Sequence, residues 1–320
     1  MSHLQYIQNG ALFRLCLIGL LFASCAKDKN TDEAALKMQD FVISIAHQAR
    51  AINPEFIIIP QNGVELAYLE TDQAKGFCED YLCTVDGFGV EELFYDGTLA
   101  VNTEWLDMLR ELAPMKKIFV SDYITDRENI SDAIQKNLRE GFICFPRNED
   151  NYDYWQISDS VINVNDGDID KLEMAQNYLY MISADGFSSK EDMINALVST
   201  NFDLLLIDLF FEDTVLTRID LENLKIKANG GKRLVICYLN IGSAENFRYY
   251  WKDDWKLHHP SWIKKKYEGY EDEYWVEFWA DEWQNIIYID ENSYLAKILD
   301  AGFDGVYLDN VEGYYFLYNE

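Results

Sequence analysis

Eight runs of apolar residues divide the chain, and each carries glycine, asparagine, aspartate or arginine at or near its end. They are FIIIPQNG (56–63), LCTVDGFG (82–89), KIFVSDY (117–123), GFICFPRN (141–148), YLYMISADG (178–186), DLLLIDLF (203–210), RLVICYLNIG (233–242) and GFDGVYLDN (302–310). Apolar runs without polar alternation belong to strands covered on both faces, as in a parallel sheet flanked by helices. The segments between them carry helical spacing. In DEAALKMQDFVISIAHQARAI, Leu36, Phe41, Ile45 and Ala49 are spaced for one face. SDAIQKNLREG runs from a capping Ser131 to a stop at Gly141, SSKEDMINALVST starts at Ser188 or Ser189, and SYLAKILDAG stops at Gly302. Alternating helices and strands predict an α/β fold, and eight strands are the number that closes a (β/α)8 TIM barrel.

The polar residues at the ends of these runs predict where chemistry would sit. Asn62, Asp86, Asp122, Arg147, Asp185, Asp208, Asn240 and Asp309 terminate the eight runs. Barrel enzymes place their reactive groups at the carboxyl ends of the strands, so these residues predict a polar, mostly acidic rim around one mouth. The stretch from Gly242 to Gly302 is too long for a single connection and predicts an excursion above that mouth, between residues 243 and 290.

Charge sharpens this picture. The 320 residues hold 27 Lys and Arg against 56 Asp and Glu, a formal net charge of −29. Such a field disfavours nucleic acid and phosphorylated ligands and attracts cations. The N-terminus adds an address. Arg14 precedes an apolar run, Leu15 to Ala23, shorter than the roughly 20 residues needed to span a bilayer, and LFASC follows. Residues 1–24 therefore resemble a bacterial lipoprotein signal peptide with Cys25 as the lipidated residue. Residues 25–33 are expected to form a tether and 34–320 a single domain. This predicts a bacterial cell-envelope location and membrane contact through the lipid anchor only. Cys144 and Cys237 fall within strand patterns and read as buried thiols, while Cys78 and Cys83 are spaced to close a small disulfide loop. No cysteine or histidine spacing suggests a metal site, and no cofactor motif is present.

Several of these segments together resemble a known family. VICYLNIGSAENFRYYW and GFDGVYLDNV, with DLLLIDLF, NPEFIIIPQNGVEL and VDGFGVEELFYDG, are similar to glycoside hydrolase family 114, whose members include endo-α-1,4-polygalactosaminidases on a TIM barrel. In that family the IPQNG and EELFY segments follow GFDGVYLD, whereas here they precede it. The resemblance thus implies a circularly permuted barrel whose first strand pairs with its last. It also implies a hydrolase acting on an amino-sugar, galactosamine-type polysaccharide, a substrate that is cationic wherever its amines are free; with the leader, the expectation is a lipid-anchored enzyme.

Glycoside hydrolysis requires two carboxyl groups, one protonated and one ionised. The resemblance maps them onto Asp309 as nucleophile and Glu91 as general acid/base of a retaining reaction, with Glu92 the other choice because neighbouring strand residues face opposite ways. Asp208, Tyr238, Glu245, Asn62 and Asp122 are candidate sugar contacts, Asn310 is placed to orient Asp309, and Arg248 is spaced for a local ion pair with Glu245. In the excursion, Trp275, Trp279 and Trp283 recur every fourth residue, which predicts a helical stripe packed on the barrel. That leaves Trp251, Trp255 and Trp262 to face a ligand. A reading of another class is a carbohydrate-binding lipoprotein without catalysis; it requires Asp309 or Glu91 to be turned away from the cleft or held in an ion pair.

Overall fold

The structure, a computed structural model, describes residues 29–148, 154–158 and 160–319. The apolar leader, Cys25 and the first part of the expected tether lie outside the described residues. Helix α1 (Lys29–Arg50) begins within the stretch read as tether. Phe41, Ile45 and Ala49 are buried as anticipated, whereas Leu36 is exposed: the buried stripe continues through Ala34, Ala35, Met38 and Val42, so the helix packs along nearly its whole length.

Eight parallel strands carry the fold: β1 (Ile57–Pro60), β2 (Gly87–Leu99), β3 (Lys117–Ile124), β4 (Ile143–Arg147), β5 (Tyr178–Met181), β6 (Leu204–Ile207), β7 (Leu234–Asn240) and β8 (Gly305–Asp309). One sheet runs β1-β8-β7-β6-β5 and another β2-β3-β4, giving a mixed α/β fold built on parallel sheets. The first and last strands are neighbours, with Ile57 opposite Gly305 and Pro60 opposite Leu308. The two sheets touch on both sides. A parallel bridge joins Gln61 to Gly89, with the Asn62 N–H donating to the Gly89 carbonyl at 2.8 Å. β4 meets β5 through the rings of Phe145 and Tyr178, 5.7 Å apart. The strands are buried on both faces, as their unbroken apolar runs require.

Helix ends follow local chemistry. The Ser189 hydroxyl accepts the Asp192 N–H and starts α5 (Lys190–Val198). Gly141 and Gly302 end their helices in the left-handed conformation, with φ of 80° and 91°. Ser131, expected as a cap, lies inside its helix (Ile130–Glu140) instead. A short turn capped by Asp126 precedes that helix and supplies its start.

The acids at the amino ends of the strands are all neutralised. Asp86 accepts the Ile58 N–H at 2.7 Å and pairs with Arg50 at 2.8 Å. Asp203 pairs with Lys227 at 3.0 Å, both side chains fully buried, and Asp304 pairs with Lys225 at 2.6 Å. Asp86 is therefore not part of the rim: it precedes β2 and sits at the opposite end of the strands from Asp309.

The excursion after β7 forms a three-stranded antiparallel sheet, with Glu273–Val276 between Ser243–Glu245 and Ile263–Lys266. A short helix, Asp281–Gln284, continues into a wider turn over Asn285–Ile289. Trp275 is thus on a strand and not on the expected helical stripe. Its fourfold spacing with Trp279 and Trp283 crosses a strand, a turn and a helix, although Trp275 and Trp283 are both buried. Cys78 and Cys83 are both free thiols, so no disulfide closes that loop, and Cys144 and Cys237 are buried thiols as expected.

Candidate active site

A cavity of about 760 Å³ opens at the carboxyl ends of the strands. Its floor is set by side-chain alternation. On β8, Tyr307 and then Asp309 point inward; on β2, Gly89 and then Glu91 do the same. Gly89 has to be glycine, because a Cβ there would lie 1.9 Å from the Tyr307 hydroxyl oxygen. Tyr180 on β5 donates to Gln61 Oε1 at 2.9 Å, and its ring stacks on Tyr154 with centroids 3.8 Å apart. Above this layer of tyrosines sit the carboxylates.

Asp309 is held on both oxygens. Tyr238, on the neighbouring strand, donates to Oδ2 at 2.5 Å, and the Asn310 N–H donates to Oδ1 at 2.7 Å. Burial pushes its carboxyl up to about 6 against those two donors. Glu91 accepts from the Tyr154 hydroxyl, which also meets Ser121 at 2.9 Å. Burial raises Glu91 as well, opposed by Arg147 and by hydrogen bonds from Tyr154 and Gln61, and assisted by the nearby charge of Asp309. The two carboxyls line one cavity and feel each other's charge, the arrangement general acid and nucleophile chemistry needs.

The choice between Glu91 and Glu92 is made by backbone. Glu92 adopts φ 55°, and the ladder between β2 and β3 is interrupted between Glu91 and Asp96. This bulge re-aims the side chains after Glu91. Glu92 then pairs with Arg147 in the wall, leaving Glu91 facing the cavity.

Of the other expected contacts, Asn62, Asp208, Tyr238, Glu245 and Asn310 all line the cavity. Asn62, in the left-handed conformation at φ 58°, accepts the Glu91 N–H on Oδ1 at 3.1 Å and so positions that residue. Asp208 and Glu245 clasp Arg248, at 2.8 and 2.9 Å, an extension of the ion pair expected for Glu245 alone. Asn310 donates to Ser243 Oγ at 3.0 Å, tying β8 to the excursion.

Asp122 does not reach the cavity. Its carboxylate accepts the N–H groups of Phe94 and Tyr95 and the Asn137 amide. The β2 bulge takes those two N–H groups out of the ladder, and Asp122 satisfies them. Trp251 and Trp255 also miss the cavity: Trp251 stacks on Tyr274 at 5.3 Å, and Trp255 meets Trp262 edge-on at 5.0 Å. Trp262 in turn packs on Trp283. Tryptophan here fastens the excursion to the body of the molecule, because large rings gain most from burial where a small sheet has little core of its own.

Two further carboxyls line the cavity that the strand-end pattern missed. Glu273, on the excursion, accepts from Asn240 and Ser243 on one oxygen, and burial beside Glu245 and Asp309 pushes it up to about 8. Glu312, just past β8, is raised to about 8 by burial and the charge of Glu65. Neither sits at the end of an apolar run, so only the folded excursion and the turn after Asn310 bring them in. Among the described residues, twelve carboxylates and one guanidinium, that of Arg248, line the cavity. No group of three or more His, Cys, Asp or Glu among them is arranged to hold a metal ion.

Residues 171–320 match the model of glycoside-hydrolase family GH114. Over these residues the chain is similar to that family. Similarity to curated proteins is shorter. An uncharacterized protein of Thermotoga maritima is 32% identical over 116 residues, 36% of this chain and 34% of its own length. Uncharacterized proteins of Methanocaldococcus jannaschii (36% over 119 residues, 37% and 33%) and Deinococcus radiodurans (31% over 121 residues, 38% and 37%) are similar in the same way. The chain thus spans about a third of the length of the curated relatives it matches. The GH114 segment contributes β5 to β8 with Asp208, Tyr238, Glu245, Glu273 and Asp309, while Glu91 and Asn62 come from β1 and β2 ahead of it.

Proposed function

We propose that the chain is a glycoside hydrolase that cleaves an amino-sugar, galactosamine-type polysaccharide by a retaining, two-carboxylate mechanism. The observation that carries this reading is the meeting of Asp309 and Glu91 in one cavity, each supported by a tyrosine hydroxyl. Above pH 6 Asp309 is ionised and its anion is oriented by Tyr238 and the Asn310 N–H, as a nucleophile requires. Glu91, raised by burial, is the proton donor to the leaving oxygen and then the base that activates water. The preponderance of carboxylates around the mouth favours a cationic polymer over a neutral one.

The same reading takes the eight strands as a (β/α)8 barrel in circularly permuted order. The pairing of β1 with β8 and the restriction of the GH114 match to residues 171–320 support it. The leader and Cys25 support attachment of the mature chain to a bacterial envelope membrane by lipid. Palmitate-analogue labelling that vanishes in Cys25→Ala would test that part; labelling that persists in the variant would refute it.

Purified protein should release reducing ends from poly-galactosamine or a partly N-acetylated form, and the first product should keep the anomeric configuration of the cleaved bond by NMR. Asp309→Asn and Glu91→Gln should each lower turnover by a thousandfold or more, on the order of what loss of a reacting group costs, whereas Glu92→Gln should not. Unimpaired turnover in either of the first two variants refutes the assignment.

A further inference from the structure

Apart from Tyr238, the rings that reach the cavity are not those the sequence singled out. Phe247 is 60% exposed, Tyr249 46% and Tyr270 37%, and all three line the cavity together with the acids. Large exposed aromatics gathered at one opening mark a place where something flat and partly apolar is held. Tyr249 and Tyr270 belong to two clusters. Tyr249 packs against Phe210 just past β6 and against Tyr294. Tyr270 packs edge-on against Tyr267, which stacks on Trp275 and through it on Phe316 just past β8. β6 and β8 flank β7 in the sheet, so the clusters stand on either side of the excursion's root. Both open into the same space as the reacting carboxyls, and Tyr267 of the second cluster donates to Asn310 Oδ1 at 3.3 Å.

We infer that Phe247 and Tyr249 on one side and Tyr270 on the other are stacking subsites for successive sugars of a cationic polysaccharide strand that runs across the mouth. The inference rests on the proposed glycosidase reading and deepens it: the enzyme grips the interior of a polymer and cuts within it. Sugar rings present flat C–H faces that pack on aromatic faces, and ammonium groups on the same sugars are drawn to the carboxylates between the rings. Tyr270 lies in the stretch Glu268-Gly269-Tyr270-Glu271-Asp272, and Glu268, Glu271 and Asp272 all line the cavity. A stacking surface interleaved with anions fits a strand that is apolar on its faces and positive at its edges. Phe247 has its neighbour Arg248 beneath it, 5.1 Å from the ring.

The test separates binding from turnover. The full chain carrying Asp309→Asn is expected to be retarded in gels containing poly-galactosamine. Adding Phe247→Ala or Tyr270→Ala should weaken that binding about threefold to tenfold each, the range that loss of one ring's contact implies. In the parent chain the same two variants should raise KM for the polymer and leave kcat on a short aryl glycoside unchanged. A lysine oligomer of matched charge, which has amines but no sugar faces, should bind the ring variants as it binds Asp309→Asn. Ring variants that keep full polymer affinity overturn the inference and leave the glycosidase reading standing. An equal loss for the lysine oligomer overturns the assignment of the rings to sugar faces. If Asp309→Asn binds no amino-sugar polymer, the glycosidase reading falls and the inference falls with it.

Discussion

Asp309→Asn should make the protein more stable, and only above a certain pH. The ordinary aspartate value is 3.8, and in the fold burial holds Asp309 at about 6. A carboxyl raised in the folded state favours its protonated form there. The fold therefore has its full stability below pH 4 and loses part of it as pH rises from 4 to 6, after which the loss is constant. At about 1.36 kcal/mol for each pH unit, a rise from 3.8 to about 6 corresponds to roughly 3 kcal/mol. Asparagine imitates the protonated, uncharged side chain. It retains an acceptor for the Asn310 N–H and faces a tyrosine hydroxyl able to accept in return. Urea unfolding of both proteins at pH 4, 5, 6, 7 and 8 is the assay. The two curves should coincide near pH 4 and separate by up to about 3 kcal/mol at pH 7 and above, with Asp309→Asn the more stable. A difference that does not vary with pH, or a variant that is less stable at pH 7, would refute the claim that this carboxylate is held ionised at a cost to the fold.

Tyr238→Phe removes a donor to the Asp309 anion, so the anion is harder to form. A hydrogen bond to a charged group contributes about 1.5–3 kcal/mol, and the acid limb of the kcat/KM profile should move up by roughly one to two pH units; an unmoved limb counts against the Tyr238 role. Asp122→Ala leaves the Phe94 and Tyr95 N–H groups and the Asn137 amide without their acceptor, at about 1–3 kcal/mol for each buried orphan. Urea unfolding should show a loss of several kcal/mol while KM of the surviving folded enzyme stays unchanged; a rise in KM with intact stability would return Asp122 to the cavity. Turnover of a free-amine polymer should fall as salt is raised from 0.05 to 0.5 M, because the cavity lining is so heavily anionic, and turnover of the fully N-acetylated polymer should not. Equal salt sensitivity of the two polymers would show that charge at the mouth does not select the substrate.

Seven of the eight strands coincide with the runs read for them, and the cavity at their carboxyl ends was legible too; the run at 82–89 instead divides between the end of a helix, Glu79–Thr84, and the start of β2 at Gly87. Apolar runs without alternation have few alternatives to buried parallel strands, and the strand-terminal polar residues other than Asp86 are fixed in place by the strand before them. What could not be read were features that depend on backbone irregularity. The bulge after Glu91 turned Glu92 into the wall and drew Asp122 away to satisfy two freed N–H groups. The excursion defeated reading by spacing, because Trp279 and Trp283 fall four and eight residues after Trp275 along a path that changes from strand to helix. The tryptophans there are buried or half-buried, packed among aromatic neighbours. The exposed rings are Phe247, Tyr249 and Tyr270, whose neighbours in sequence gave no periodic signal. Glu273 starts a short strand of the excursion and Glu312 follows β8, neither at the end of an apolar run, so tertiary packing alone identifies them.

The amide of Asn319 donates to the Thr31 hydroxyl at 3.3 Å, and Lys265 of the excursion holds the Asn319 carbonyl at 2.8 Å. Both ends of the described chain are thereby stitched to the side of the molecule where the cavity opens. A bulky group fused at either of these ends would stand beside the opening and narrow the approach of a long substrate.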